Sequence, residues 1–347
     1  MNLLYHKHVS CFGNVNNNAF KFEIFGGTPG YTCTLNGNIS VYANTPYTLS
    51  WGTHTLVVTD ANNCQQTFTL VIDTTLEYNI IKGCVAGATP AQFSTNACTQ
   101  PTVTGPGNIS FAGNVCSVTA AGTYTITATS PTSTETKTIY IGDCSACTTA
   151  PADAEWYAPN STSTSISPNG VLDNKPIVLQ GNVAVNNEWF IYNNPNVYLT
   201  SGALLDLHAK QAIIINSSHM QGCTDFWNGI FAGTNNERVI VNNGSIVQDM
   251  DQGIVVSNNS FLQARDSKFW NNNTSIKIFN NHDPNPQSFI YNNEFKGTNT
   301  MIANGNGNKP FVGIKLWYTG SIAVGKKDNA AYGNTFENMS TGIWIKQ

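Results

Sequence analysis

The sequence predicts an all-β chain in which two small sandwiches precede a parallel β-helix. Three observations lead there. Charged residues make up only 10% of the 347 positions, against roughly 25% in an average soluble protein, while Asn reaches 46 and Gly 29. Short segments alternate apolar and polar residues between turns of Gly, Pro and Asn. From residue 229 onward, Gly-Ile tetrads return at a repeat length that belongs to stacked coils.

Composition also excludes several classes. A net charge of −4 without any basic run argues against a nucleic-acid binder, whose affinity rests on Lys and Arg neutralising phosphates. Helical bundles and coiled coils need Glu, Lys and Arg in a quantity that 10% charge does not supply. No run approaches the roughly eighteen apolar residues of a membrane-spanning helix. With 11% aromatic residues the chain is not disordered.

The first unit covers residues 1–74. Phe20, Phe22 and Ile24 alternate with Lys21 and Glu23, the pattern of a half-buried strand. A Gly26-Gly-Thr-Pro-Gly30 turn leads into Tyr31 to Leu35. Residues 53–59 alternate again, and Asp60-Ala-Asn-Asn63 turns the chain into Gln66 to Ile72. That loop reads as a turn rather than a calcium loop. Short strands at regular spacing describe an antiparallel sandwich.

Three motifs carry a resemblance. Val9-Ser-Cys-Phe-Gly13, Gly26-Gly-Thr-Pro-Gly-Tyr31 and Gly52-Thr-His-Thr-Leu-Val-Val-Thr-Asp-Ala-Asn-Asn-Cys64 resemble, in this order, the SprB-type repeat. That repeat is a small immunoglobulin-like module of giant surface adhesins in gliding bacteria. The match spans about residues 8–73. It departs from the family at Gly30 and in a shortened stretch from Gly37 to Ser50. The resemblance implies a disulfide between Cys11 and Cys64, worth about 4 kcal/mol in the chain-entropy model. It also implies export by the type IX route, whose C-terminal sorting domain is missing here.

Residues 75–145 read as a second, immunoglobulin-like sandwich, with Tyr124, Ile126 and Ala128 on one face of a strand and residues 137–141 as the closing strand. Residues 146–170, rich in Ser, Thr, Pro and Asn, form a linker or an irregular cap.

Residues 171–347 form the repeat region. Gly229-Ile230, Gly253-Ile254, Ser275-Ile276, Gly313-Ile314 and Gly342-Ile343 recur at intervals of 24, 22, 38 and 29 residues. Between them lie second strands such as Ser245-Ile-Val and Ser260-Phe-Leu, and many segments close on Asn. This pattern fits a right-handed parallel β-helix of some seven coils, about 4.8 Å apart. Asn tolerates positive φ at the corners, and amide above amide satisfies itself in a ladder. The stretches 281–286 and 304–308 read as loops extruded from a coil, where binding residues sit most naturally.

Eight of the nine cysteines precede Ala150. Zinc needs grouped pairs, and only Cys144-Ser-Ala-Cys147 has that spacing, so disulfides in an oxidising compartment are the better reading. Sequence alone leaves the connectivity of Cys33, Cys84, Cys98, Cys116, Cys144, Cys147 and Cys223 open, and an odd count leaves one thiol over. The N-terminus lacks the apolar core of a signal peptide and the last residues stop inside a strand, so both ends read as cuts.

Parallel β-helices include polysaccharide lyases and hydrolases, which need clustered acids, calcium ligands or a basic residue next to the scissile bond. The candidate catalytic set is Asp249, Asp251, Arg265, Asp266 and Lys268. Asp249 and Asp251 share a face if both lie in a strand, with Asp266 above them one coil on, and the three Asp would suit calcium, the only cofactor in view. Against this stands the reading as solvated turn charges. Asp206 and His208 point to one side of a strand, an exposed pair more than a metal site. Trp189, Trp227, Trp270, Trp317 and Trp344 fall about one per coil. Pointing inward they fill the helix; outward, they stack on sugar rings, with Trp270, Trp317 and Trp344 as the glycan candidates.

The function expected is adhesion or binding by a secreted, cell-surface protein, with a polysaccharide or surface glycan as partner and neither nucleic acid nor a membrane span. A polysaccharide lyase or glycoside hydrolase is the alternative, and a passive spacer the third reading.

Overall fold

In the computed structural model, the described residues are 2–8, 19–45, 47–49, 52–72, 76–95, 97, 100–129, 134–193, 196–208, 211–234, 236–281, 288–298, 312–319, 322–325 and 333–346. They fall into two compact units, one made of residues 1–81, 92–119 and 123–139, the other of 82–91, 120–122 and 140–347.

The first unit is built from antiparallel sheets. Asn2–His8 pairs with Ala19–Phe25, which pairs with Tyr47–Thr48. A second sheet runs Ile39–Val41, Thr32–Leu35, Gly52–Thr59, Gln65–Ile72. The alternation read from sequence explains the packing: Phe22 from the first sheet and Leu35, Leu56, Val58 and Leu70 from the second close into one apolar cluster. Asp60 organises the turn between the last two strands. Its carboxylate accepts from the backbone N–H groups of Thr28, Asn62 and Cys64, and these bonds hold its pKa below the usual carboxylate value. Further on, Ile109–Ala112 pairs with Val115–Val118, and Thr102–Thr104 with Gly122–Thr129, both antiparallel. Phe93, Val118, Tyr124 and Ile126 are buried there.

The second unit is a parallel β-solenoid with three faces. Face A stacks Glu155–Trp156, Ile177–Leu179, Asn196–Leu199, His219–Gly222, Ile246–Gln248, Lys268–Trp270, Glu294–Lys296 and Thr335–Glu337. Face B stacks Asn182–Val185, Leu204–Leu207, Trp227–Ala232, Met250–Ser257, Thr274–Asn281, Val312–Thr319 and Thr341–Lys346. Face C stacks Val171–Asp173, Trp189–Asn193, Ala212–Asn216, Arg238–Asn242, Phe261–Arg265, Phe289–Tyr291 and Ala323–Val324. Every pairing between neighbours within these faces is parallel.

Register puts like upon like. The Gly-Ile repeat becomes one interior column on face B: Leu205, Ile230, Ile254, Ile276, Ile314 and Ile343 lie rung on rung. All but the last are buried in one core, where each such side chain contributes roughly 1.5–3 kcal/mol. The glycines of the motif are fixed by close approach. A Cβ on Gly253, which has φ of +80°, would lie 2.5 Å from the Thr274 carbonyl oxygen.

Asn carries the corners. Thirteen of the sixteen described non-glycine residues with positive φ are Asn, the turn role expected of this residue type. The amide ladder is present at the edge of face C, where Asn193 donates to Asp173 at 2.8 Å, Asn216 to Asn193 at 2.8 Å, and Asn243 to Asn216.

The stretch 146–170 packs against the solenoid. Cys144 and Cys147 of the CxxC pair go to different partners, Cys84 and Cys223. Trp156, Val178 and Tyr198, one outward column of face A, are covered by this segment in a small cluster with Ala154 and the cysteines. One helical turn, Ser163–Ile166, caps itself through Thr162 and buries Ile166 in the solenoid core. Cys33 and Cys116 are buried free thiols, and Cys64 is exposed and unbridged among the described residues. Cys11 and Cys98 lie outside them.

Candidate functional site

Strand alternation decides which side chains the solenoid offers to solvent. On face B, Ile276, Ile278, Ile314 and Leu316 point inward, so Lys277, Phe279, Lys315 and Trp317 between them point outward. The next strand continues this with Trp344 and Lys346. Parallel register then builds two adjacent outer columns. One runs Val255, Lys277, Lys315, Trp344; the other runs Ser257, Phe279, Trp317, Lys346.

The two columns interlock. The Trp317 and Trp344 rings meet edge to face with centroids 6.4 Å apart. Lys315 Nζ lies 4.9 Å from the Trp344 ring centroid and 5.9 Å from that of Trp317, and Lys346 Nζ lies 4.9 Å from Trp317. Lys277 Nζ sits 5.2 Å from the Phe279 ring. Burial, with the neighbouring Lys315 charge second, lowers the Lys277 pKa from its ordinary value. Trp344 is 36% exposed, and Lys346 is exposed as well. The result is a patch of aromatic rings and ammonium groups on the outer side of face B.

The other tryptophans are dispersed. Trp227 is fully buried in the core and donates from Nε1 to the Gln248 carbonyl at 2.8 Å. Trp189 stands on face C beneath the Arg238 guanidinium, 5.4 Å from its ring centroid. Trp270 is on face A with Lys268 Nζ 4.9 Å from its ring. Trp317 and Trp344 are thus brought together, and Trp270 stands on another face.

The acidic candidates are likewise parted. Asp249 lies at the corner from face A to face B, Asp251 near the start of the face B strand that follows, and Asp266 at the corner from face C to face A. The expected stacking of Asp266 above Asp249 and Asp251 is therefore corrected. Asn292 above donates to the Asp266 carboxylate at 2.7 Å, and the Gly244 N–H donates to the Asp266 carbonyl from the rung below. Asp249 and Asp266 have φ of 63° and 51°, taking the corner position that Asn holds elsewhere. Asp251 accepts from Asn273 and Gln252 at 2.7 and 2.8 Å. Arg265 ends a face C strand in register with Tyr291, and Lys268 is in register with Glu294 on face A. Asp206 and His208 do point to one side, 3.3 Å apart. Among the described residues no three His, Cys, Asp or Glu group together as metal ligands, and no helix is long and apolar enough to cross a membrane. The stretch 304–308 and His282 to Pro286 lie outside the described residues.

Asp249 is the perturbed acid of the solenoid. Burial raises its carboxyl to about 6, against the opposing hydrogen bonds from Gln248 and the Gly222 backbone.

The lysines and Phe279 are the members of the patch that sequence reading passed over. Their signal was a repeated Lys-x-aromatic spacing, in Lys277-Ile-Phe279 and Lys315-Leu-Trp317, reversed in Trp344-Ile-Lys346. Compared with known proteins, the chain matches no family model, no curated protein and no solved structure.

Proposed function

We propose that this chain belongs to an extracellular, cell-surface adhesion or binding protein whose solenoid recognises glycans on the outer side of face B. The observation that carries the reading is the edge-to-face pair of Trp317 and Trp344 at 6.4 Å on a parallel sheet, with the Trp344 ring exposed, since sugar rings stack on exposed aromatic surfaces. The two disulfides, Cys84–Cys144 and Cys147–Cys223, support an oxidising compartment. The finer architecture proposed with it is two immunoglobulin-like modules before a right-handed solenoid, the first of them of SprB type. Secretion by the type IX route belongs to the same proposal. The separation of Asp249 and Asp251 from Asp266 counts against a hydrolase or lyase, whose acids must flank one bond.

The test is binding of the whole chain to a glycan array, beside an assay for release of unsaturated sugars from plant and bacterial polysaccharides. Binding that is lost in Trp344→Ala, without product release, is the expected result. Release of unsaturated product would overturn it in favour of a lyase, and an array without any signal would leave a spacer.

A further inference from the structure

The geometry points to a polyanionic polysaccharide, one carrying carboxylate or sulfate groups, as the ligand of the outer side of face B. This inference rests on the glycan reading above and names its class.

Charge is the first argument. The strands Thr274–Asn281, Val312–Thr319 and Thr341–Lys346 contain three lysines and neither Asp nor Glu. Among the described residues, Lys277, Lys315 and Lys346 form no ion pair. Face A handles its lysines differently: Lys296 pairs with Glu337 at 2.8 Å, and Lys268 lies in register with Glu294. Lys296 on face A thus has an acid partner, whereas the three lysines of face B stand together with none among the described residues. Lys277 and Lys315 stand in register on adjacent rungs, where like charges repel and an anion between them relieves the strain.

Position is the second argument. Each ammonium is held beside a ring, Lys315 by Trp344, Lys346 by Trp317 and Lys277 by Phe279. A sugar lying on one of these rings brings its acidic substituent to the neighbouring ammonium, a charge-assisted contact. Rungs are about 4.8 Å apart, close to the advance of one pyranose along an extended chain. A polymer running along the solenoid axis therefore meets one position of each column per sugar. Single-stranded nucleic acid also pairs rings with phosphates, but it needs a longer basic track than these three rungs within a chain of net charge −4.

The experiment titrates the full chain with dextran sulfate, polygalacturonate, neutral dextran and an oligodeoxythymidylate at one ionic strength. One of the acidic polysaccharides should bind at least about tenfold more tightly than dextran, and the two acidic arms tell sulfate from carboxylate. The triple substitution Lys277→Gln, Lys315→Gln, Lys346→Gln should remove that preference while leaving the melting temperature unchanged. Trp344→Ala, at an exposed position, should weaken binding to the same polymer. Equal binding of charged and neutral dextran, lost in Trp344→Ala, would overturn this inference and leave the glycan reading standing. No binding to any of the polysaccharides, with a silent glycan array, would overturn both. Tighter binding to the oligonucleotide, or a preference for acid that survives the triple substitution, would also overturn it.

Discussion

Phe269 and Phe295 stack one above the other inside the solenoid, their ring centroids 5.0 Å apart and their planes 11° from parallel. Phe336 continues the column at 5.0 Å and 10°. Each ring is the middle residue of a three-residue strand on face A, and only parallel pairing in register sets the three in line. Phe295 has a ring on both sides, so its truncation opens a cavity that neither neighbour can fill. Phe295→Ala should cost about 3–5 kcal/mol in urea unfolding, and Phe295→Leu clearly less. A loss below about 1 kcal/mol for the alanine variant would mean that the rings are not layered.

Asp249 supplies a pH dependence. Its carboxyl titrates at about 6 in the folded chain, above the usual 3.8, because burial penalises the charged form. Stability from this group is complete below about pH 4 and is lost as pH rises through about 6, a loss on the order of 3 kcal/mol by pH 7. Asparagine keeps the corner conformation and carries no charge. Asp249→Asn should therefore unfold at a higher denaturant concentration than the native chain at pH 7 and show little difference at pH 4. A variant equally shifted at both pH values would contradict the assignment.

Cys147–Cys223 closes a separation of 76 residues and ties the segment over face A to the fourth strand of that face. Replacing both residues with Ser should lower stability by about 2–5 kcal/mol. The outward column Trp156, Val178 and Tyr198 should then become accessible, which tryptophan quenching by acrylamide reads directly. Unchanged quenching would show that packing alone holds the segment.

The solenoid was legible because its repeat is written in residues that serve one place each. Ile254, Ile276 and Ile314 fill one interior column, and Asn243, Asn258, Asn271 and Asn292 turn its corners. Where the sequence misled, the corner was the reason. Asp249 and Asp266 are seventeen residues apart, and a coil of unequal sides does not reveal that this spans two of its three corners rather than one turn. Trp227 illustrates a second limit. The register with Met250 shifts between Trp227 and Gly229, and this irregularity precedes the regular alternation that puts Trp344 outside. The tryptophans could not be sorted without knowing which strands are interrupted. The partners of Cys144 and Cys147 depend on the path of residues 146–170, for which no periodic pattern exists.

Methyl-to-methyl nuclear Overhauser contacts in isoleucine-δ1-labelled protein test the stacking of rungs most directly. The ladder predicted connects Ile230 to Ile254, Ile254 to Ile276, and Ile276 to Ile314, each to its register neighbour. Contacts that skip this order, or join these methyl groups to residues of the first unit, would contradict the parallel solenoid and the patch of rings and lysines that depends on it.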